Sequence, residues 1–296
     1  MLHRVFSFLL LLTVCASAQS RIDCNALKSR ILGEAVHYCV LLPPSYDSAP
    51  AKHYPVLYFL HGLGENEQTL FKTGGWNLIE DLRQQHKVSD FLIVTPEARA
   101  SFYVNSADGK ARYSDFFLQE FMPYIEGKYR IQRERKSRAI TGISMGGYGA
   151  LRFAFAYPEM FSAVSAQSAA LMTQSPQELN AAMRSGSSFG KLMGPVFGNP
   201  IDVRHWKEND PFSLARKNNH AIATQAIYFN CGRDDEYDFE VGATALDKQL
   251  EEEHIKRVLA VAPTLEDAAA TLGISIPTLW RKRKRARSLL PYLMSH

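Results

Sequence analysis

A doubly wound, mostly parallel α/β sheet is the fold class the sequence predicts, and three observations predict it. Apolar runs of strand length recur at 54–60, 90–96, 161–168 and 223–232, as expected of strands buried on both faces. Stretches with helical spacing separate them, the alternation that parallel sheets require. One apolar run ends in the glycine-rich turn Thr141-Gly142-Ile143-Ser144-Met145-Gly146-Gly147 and passes straight into Leu151-Arg152-Phe153-Ala154 at helical spacing.

The chain is long enough for one large domain with an appendage: 296 residues, 46% of them hydrophobic. Its net charge is local. Six basic residues lie between Arg281 and Arg287, and without them the formal charge of +4 becomes −2. A basic body that would bind polyanions throughout is therefore excluded.

From the amino end, Arg4, the apolar run Val5 to Val14 and Ala16-Ser17-Ala18 read as a secretory signal, cut after Ala18. A membrane anchor is the competing reading, but this run falls well short of the ~20 residues a span needs. A lipoprotein signal at Cys15 has bulky Val14 against it. The expected organisation is signal 1–18, sheet domain 19–250 and tail 251–296, with no membrane association after cleavage. Cys24 and Cys39 lie in two strand-like runs around Leu32-Gly33-Glu34. Export would allow a cross-strand disulfide between them, and two buried free thiols are the alternative. No cysteine spacing suits zinc, and neither metal nor cofactor is expected.

Pro43-Pro44 stops the strand at 35–42. The next strand, 54–60, runs into His61-Gly62-Leu63-Gly64, where the Leu63 N–H can serve as an oxyanion donor. His61 precedes the serine turn and reads as a pin for this loop rather than a base. A helix begins near Gly75, and the strand 90–96 leads to an aromatic, polar loop from Glu97 to Arg112 suited to the rim of a site. Phe116, Phe117, Phe121, Ile125 and Tyr129 form a stripe at helical spacing, read as core. The Gly-, Ser-, Pro- and Met-rich stretch from Leu171 to Pro211 reads as a cap, and the strand 223–232 leads to Asp234 and Asp235.

Strand, tight turn and helix are the setting in which G-x-S-x-G becomes a nucleophile elbow. Gly142 and Gly146 let backbones pass closely, Ser144 Oγ stands at the carboxyl edge of the sheet, and the Met145 N–H opens the helix as the first oxyanion donor.

From about Leu32 to Ile255 the chain resembles the esterase-D-like putative esterases of the α/β-hydrolase class. The resemblance rests on His61-Gly62-Leu63-Gly64, Ser101-Phe102-Tyr103-Val104, the run from Tyr113, the elbow at Ser144 and Cys231-Gly232-x-x-Asp235. It implies a serine carboxylic-ester hydrolase for small ester substrates, with Ser144 as nucleophile and Asp235 as acid. Asp234 is the neighbouring candidate, and either could instead cap the next helix. The family also has a final strand ending in a Gly-Gly-His loop. Here 251–262 reads as continuing helix, so the sheet is expected to stop short of its last strand and the catalytic histidine to be missing. His254, read as mid-helix, and His296, at the terminus, do not fit the geometry of a base.

The stretch from Pro263 to Lys284 resembles the Fis-like helix-turn-helix of response regulators. The resemblance implies major-groove contacts from Thr278, Arg281 and Lys282, and weak, charge-driven nucleic-acid binding. Three functions therefore compete: an impaired exported esterase, a DNA-binding protein with an inert hydrolase body, and a secreted ligand-binding scaffold.

Overall fold

The computed structural model describes residues 20–184, 188–233, 235 and 237–262. Eight strands form one sheet: β1 (Arg21–Lys28), β2 (Ala35–Leu42), β3 (Val56–Leu60), β4 (Leu92–Pro96), β5 (Arg138–Ile143), β6 (Ala163–Gln167), β7 (Ala226–Gly232) and β8 (Val258–Ala262). Their order is β1-β2-β4-β3-β5-β6-β7-β8. The hairpin β1–β2 joins antiparallel at one edge, and β4 through β8 run parallel. Cys24 and Cys39 face each other in the hairpin register and form a disulfide.

The longer helices are α1 (Gly75–Gln84), α2 (Met122–Lys128), α3 (Met145–Ala156), α4 (Pro176–Arg184), α5 (Ser188–Phe197), α6 (Val203–Asn209), α7 (Pro211–Lys217) and α8 (Phe239–Glu252). The Phe stripe lies on a helical turn, a π-helical stretch at Phe116–Phe121 and α2. Phe116, Phe117 and Phe121 are fully buried, and Phe117 stacks on Phe153 of α3 with ring centroids 4.6 Å apart. A smaller apolar cluster, Leu41, Leu70 and Ile93 with Trp76 and Ile79, lies beneath α1.

The expected truncation of the sheet is wrong. Helix α8 ends at Glu252, and Val258–Ala262 returns as β8, paired in parallel with Tyr228–Gly232. The sheet thus extends past the boundary drawn at 250. The helix stops in a Schellman turn: His254 is left-handed (φ 57°), its N–H donates to Glu251 O (2.9 Å), and the Ile255 N–H donates to Leu250 O (2.8 Å). Leu250 and Ile255, the apolar pair that usually accompanies this turn, are both buried. Two things hid the strand. Histidine stands where glycine would announce the stop, and Val-Leu-Ala-Val-Ala is too short for periodicity to separate strand from helix. Thr278, Arg281 and Lys282, the tail resemblance and the signal at 1–18 lie outside the described residues.

Candidate active site

Ser144 joins β5 to α3 with φ 55° and ψ −117°, a region where non-glycine residues are uncommon and strained. The surroundings hold it there. The Ser144 N–H donates to Gln167 O of β6 (2.9 Å), and Ser144 O accepts from Ala170 N (3.1 Å) and Tyr148 N (3.0 Å). The flanking glycines are steric necessities. A Cβ on Gly142 would lie 2.3 Å from the Gly146 carbonyl, and one on Gly146 would lie 2.0 Å from Leu60 O. Backbones of β3, β5 and α3 therefore meet at contact distance under the serine. Ser144 is half-buried, and Met145 behind it is buried.

The Met145 N–H is the first of α3 and has no carbonyl a turn earlier in its own helix to bond. Leu63 is partly buried in the loop that leaves β3, with its side chain against the main core. His61 pins that loop. Its Nε2 accepts from Ala98 N (2.9 Å), which leaves Nδ1 to carry the proton and donate to Gly62 O (2.8 Å). Burial lowers its pKa, so the ring is neutral and fully engaged. Glu65 closes the turn by accepting from Gly62 N (2.8 Å).

Asp235 follows β7, at the same carboxyl edge as Ser144 with β6 between them. Its Oδ1 accepts from Tyr237 N (3.0 Å) and Phe239 N (3.4 Å), so the carboxylate caps the entry to α8. Asp234 lies outside the described residues. Beneath Asp235 is Cys231, a free buried thiol. Burial first, and then the Asp235 charge, push its pKa up to about 12. One ligand atom each from Cys231, Asp235 and Glu240 falls within 4.8 Å of the others, a set that could hold a cation only after the thiol gave up its proton.

No histidine among the described residues hydrogen-bonds Ser144. After β8 the sequence runs Pro263-Thr264-Leu265-Glu266-Asp267, and it contains no further histidine until His296. A cavity of about 240 Å³ opens at the same edge of the sheet, between the β1–β2 tip, the loop 97–104 and α5. Its wall includes Leu32, Val36, Ala98, Val104 and Val196 but not Ser144. Among the described residues no helix is long and apolar enough to cross a membrane.

Sequence reasoning missed the backbone of the loop 101–104. Its composition suits a rim, but nothing in the residue string marks Phe102 and Tyr103 as consecutive left-handed residues (φ 49° and 59°).

The family described as putative esterase matches residues 29–267. An esterase of Mycobacterium tuberculosis (strain CDC 1551) is 35% identical over 133 residues, 44% of this chain. That match spans 28% of the relative's own length. A solved ferulic acid esterase superposes with a TM-score of 0.69 at 27% identity, covering 83% of this chain and 90% of that one. A separate, short similarity is to the alginate biosynthesis transcriptional regulatory protein AlgB of Pseudomonas syringae pv. tomato. It is 53% identical over 45 residues, 15% of this chain and 10% of the regulator.

Proposed function

The chain belongs to the putative esterase family, and from that premise we propose that it is a serine carboxylic-ester hydrolase whose proton-transfer step is impaired. The observation that carries the reading is the strained Ser144 between β5 and α3, held by Gly142 and Gly146. Ser144 Oγ attacks the ester carbonyl, and the Met145 and Leu63 amides receive the oxyanion. Asp235 stands at the acid position. The relation to a ferulic acid esterase favours small esters, aromatic acyl groups among them, as substrates.

Among the described residues no histidine is placed to take the Ser144 proton, and on this reading what remains is binding and the oxyanion site. Loss of a triad member typically leaves about 10³–10⁴-fold catalysis over water. Slow hydrolysis of an activated aryl acetate, reduced further by Ser144→Ala, is the expected result. Rates typical of an efficient esterase would overturn the impairment, and equal rates in wild type and Ser144→Ala would overturn the nucleophile. Signal 1–18 and the Cys24–Cys39 disulfide support export to an oxidising compartment. Cell fractionation tests that placement.

A second reading has one observation in its favour. The short AlgB similarity agrees with the helix-turn-helix resemblance of the tail, and so with DNA contacts by Thr278, Arg281 and Lys282. Binding through the basic run 281–287 should fall steeply with added salt. Sequence-selective binding that survives physiological salt would favour this reading and a cytoplasmic protein.

A further inference from the structure

The loop from Ser101 to Val104 contains two adjacent bulky residues in the left-handed region, Phe102 (φ 49°) and Tyr103 (φ 59°). Such backbone is strained and persists only where its surroundings impose it. Tyr103 is fully buried, and its contacts account for the constraint. Its ring lies against α3 at Gly149, where an added Cβ would sit 2.5 Å from Tyr103 Cδ2. Its hydroxyl donates to His61 O (3.0 Å). Its own N–H donates to Ser101 Oγ (3.1 Å), which closes the loop on itself.

His61 O is the carbonyl from which the chain enters Gly62-Leu63. The same carbonyl lies against α3, 2.7 Å from where a Cβ on Gly146 would stand. The far side of His61 is held from this loop as well, through Ala98 N to Nε2. The His61–Gly62 peptide, one ahead of the peptide that carries the Leu63 N–H, is thus gripped by a phenol that also rests on the helix carrying Ser144. Phe102 completes the wedge by packing edge-on to Tyr148 of α3, with ring centroids 5.7 Å apart.

We propose that Tyr103 is a positioning residue for the oxyanion site: its hydroxyl, bonded to His61 O and backed by Gly149, sets the Leu63 amide in register with Ser144. The proposal rests on the reading of Ser144 as nucleophile. It extends that reading from the two donors to the group that aims one of them.

Tyr103→Phe removes the hydroxyl and keeps the ring. The full chain and this variant are compared in three ways: melting temperature, the rate at which a fluorophosphonate labels Ser144, and backbone hydrogen exchange over residues 61–66. Labelling is resolved into KI for reversible binding and kinact for attack, in which Ser144 Oγ displaces fluoride from phosphorus and its proton passes to water. Removing an oxyanion donor outright costs about 10²–10³-fold, so a misaimed donor is expected to cost about tenfold in kinact. KI and the melting temperature should hold, and exchange over 61–66 should quicken. A merely structural tyrosine would lower the melting temperature and leave kinact alone.

Gly149→Ala keeps the hydroxyl but displaces the ring, and should lower kinact in the same direction. Its effect should not add to that of Tyr103→Phe. Unchanged kinact in Tyr103→Phe, or unchanged exchange over 61–66, overturns the proposal. Absence of labelling in the wild type instead removes the nucleophile reading, and the exchange comparison then decides the role of Tyr103 by itself.

Discussion

The turn at Ser144 and the loop at Asp235 are built on different principles. Backbone alone secures Ser144: Gly142 and Gly146 leave room for Leu60 O and each other at distances no side chain would allow, and Gly147 lets Ala169 approach closely. Asp235 is held by its own carboxylate, which accepts from two amides at the start of α8. The turn is part of the packing of the sheet, so losing it means losing the fold. The loop is a local cap, and its catalytic use depends on a histidine; among the described residues none hydrogen-bonds Asp235. The first can therefore stay intact whatever becomes of the second.

The largest expected effect breaks the comparison from the side of the turn. Gly146→Ala places a Cβ 2.0 Å from Leu60 O, with backbone on both sides and no flexible side chain to yield. Overpacking typically costs about 1–3 kcal/mol, and a backbone clash of this kind is expected at or above the top of that range. Urea unfolding measures it. A variant as stable as the wild type would show that the turn can relax.

The loop can be read through its thiol. Cys231, raised to about 12 by burial and the Asp235 charge, should react with iodoacetamide at pH 9 about a thousandfold more slowly than an exposed cysteine. The sign is fixed by cause: both influences disfavour the thiolate, so reactivity rises as pH climbs toward 12. Asp235→Asn removes the negative neighbour and should raise the rate. Alkylation of the native protein as fast as that of free cysteine would mean that the loop opens.

The smallest effect is the most discriminating. On the reading of an impaired triad, Asp235→Asn should lower aryl-ester hydrolysis less than tenfold and leave stability nearly unchanged, because the Asn carboxamide oxygen still accepts from Tyr237 N and Phe239 N. A drop of 10³-fold or more would place Asp235 in a working triad and require a base from elsewhere.

How much of this was legible follows the same division. Ser144 and its glycines could be read because close backbone approach dictates residue type at fixed spacing. The parallel strands could be read because burial on both faces writes continuous apolar runs. β8 could not, since its helix stop is a left-handed histidine and the strand has only five residues, Val258–Ala262. Whether Asp235 orients a base or caps a helix was left open by the sequence, because the residue type is the same for both. Tyr103 was visible as a residue and invisible as a clamp: its meaning lies in φ and in contacts with His61 and Gly149, which are distant in the chain.

The return of the chain as β8 has a practical consequence. Because β8 runs parallel to β5, it delivers Ala262 to the same rim of the sheet that carries Ser144. Residue 262 is thus a graft point on the reacting side. A histidine-bearing loop spliced in directly after it would start from the correct side, with the whole sheet and the serine turn left untouched. On the proposed reading, restoring a proton acceptor would be a matter of a few residues at one splice, not of redesigning a fold.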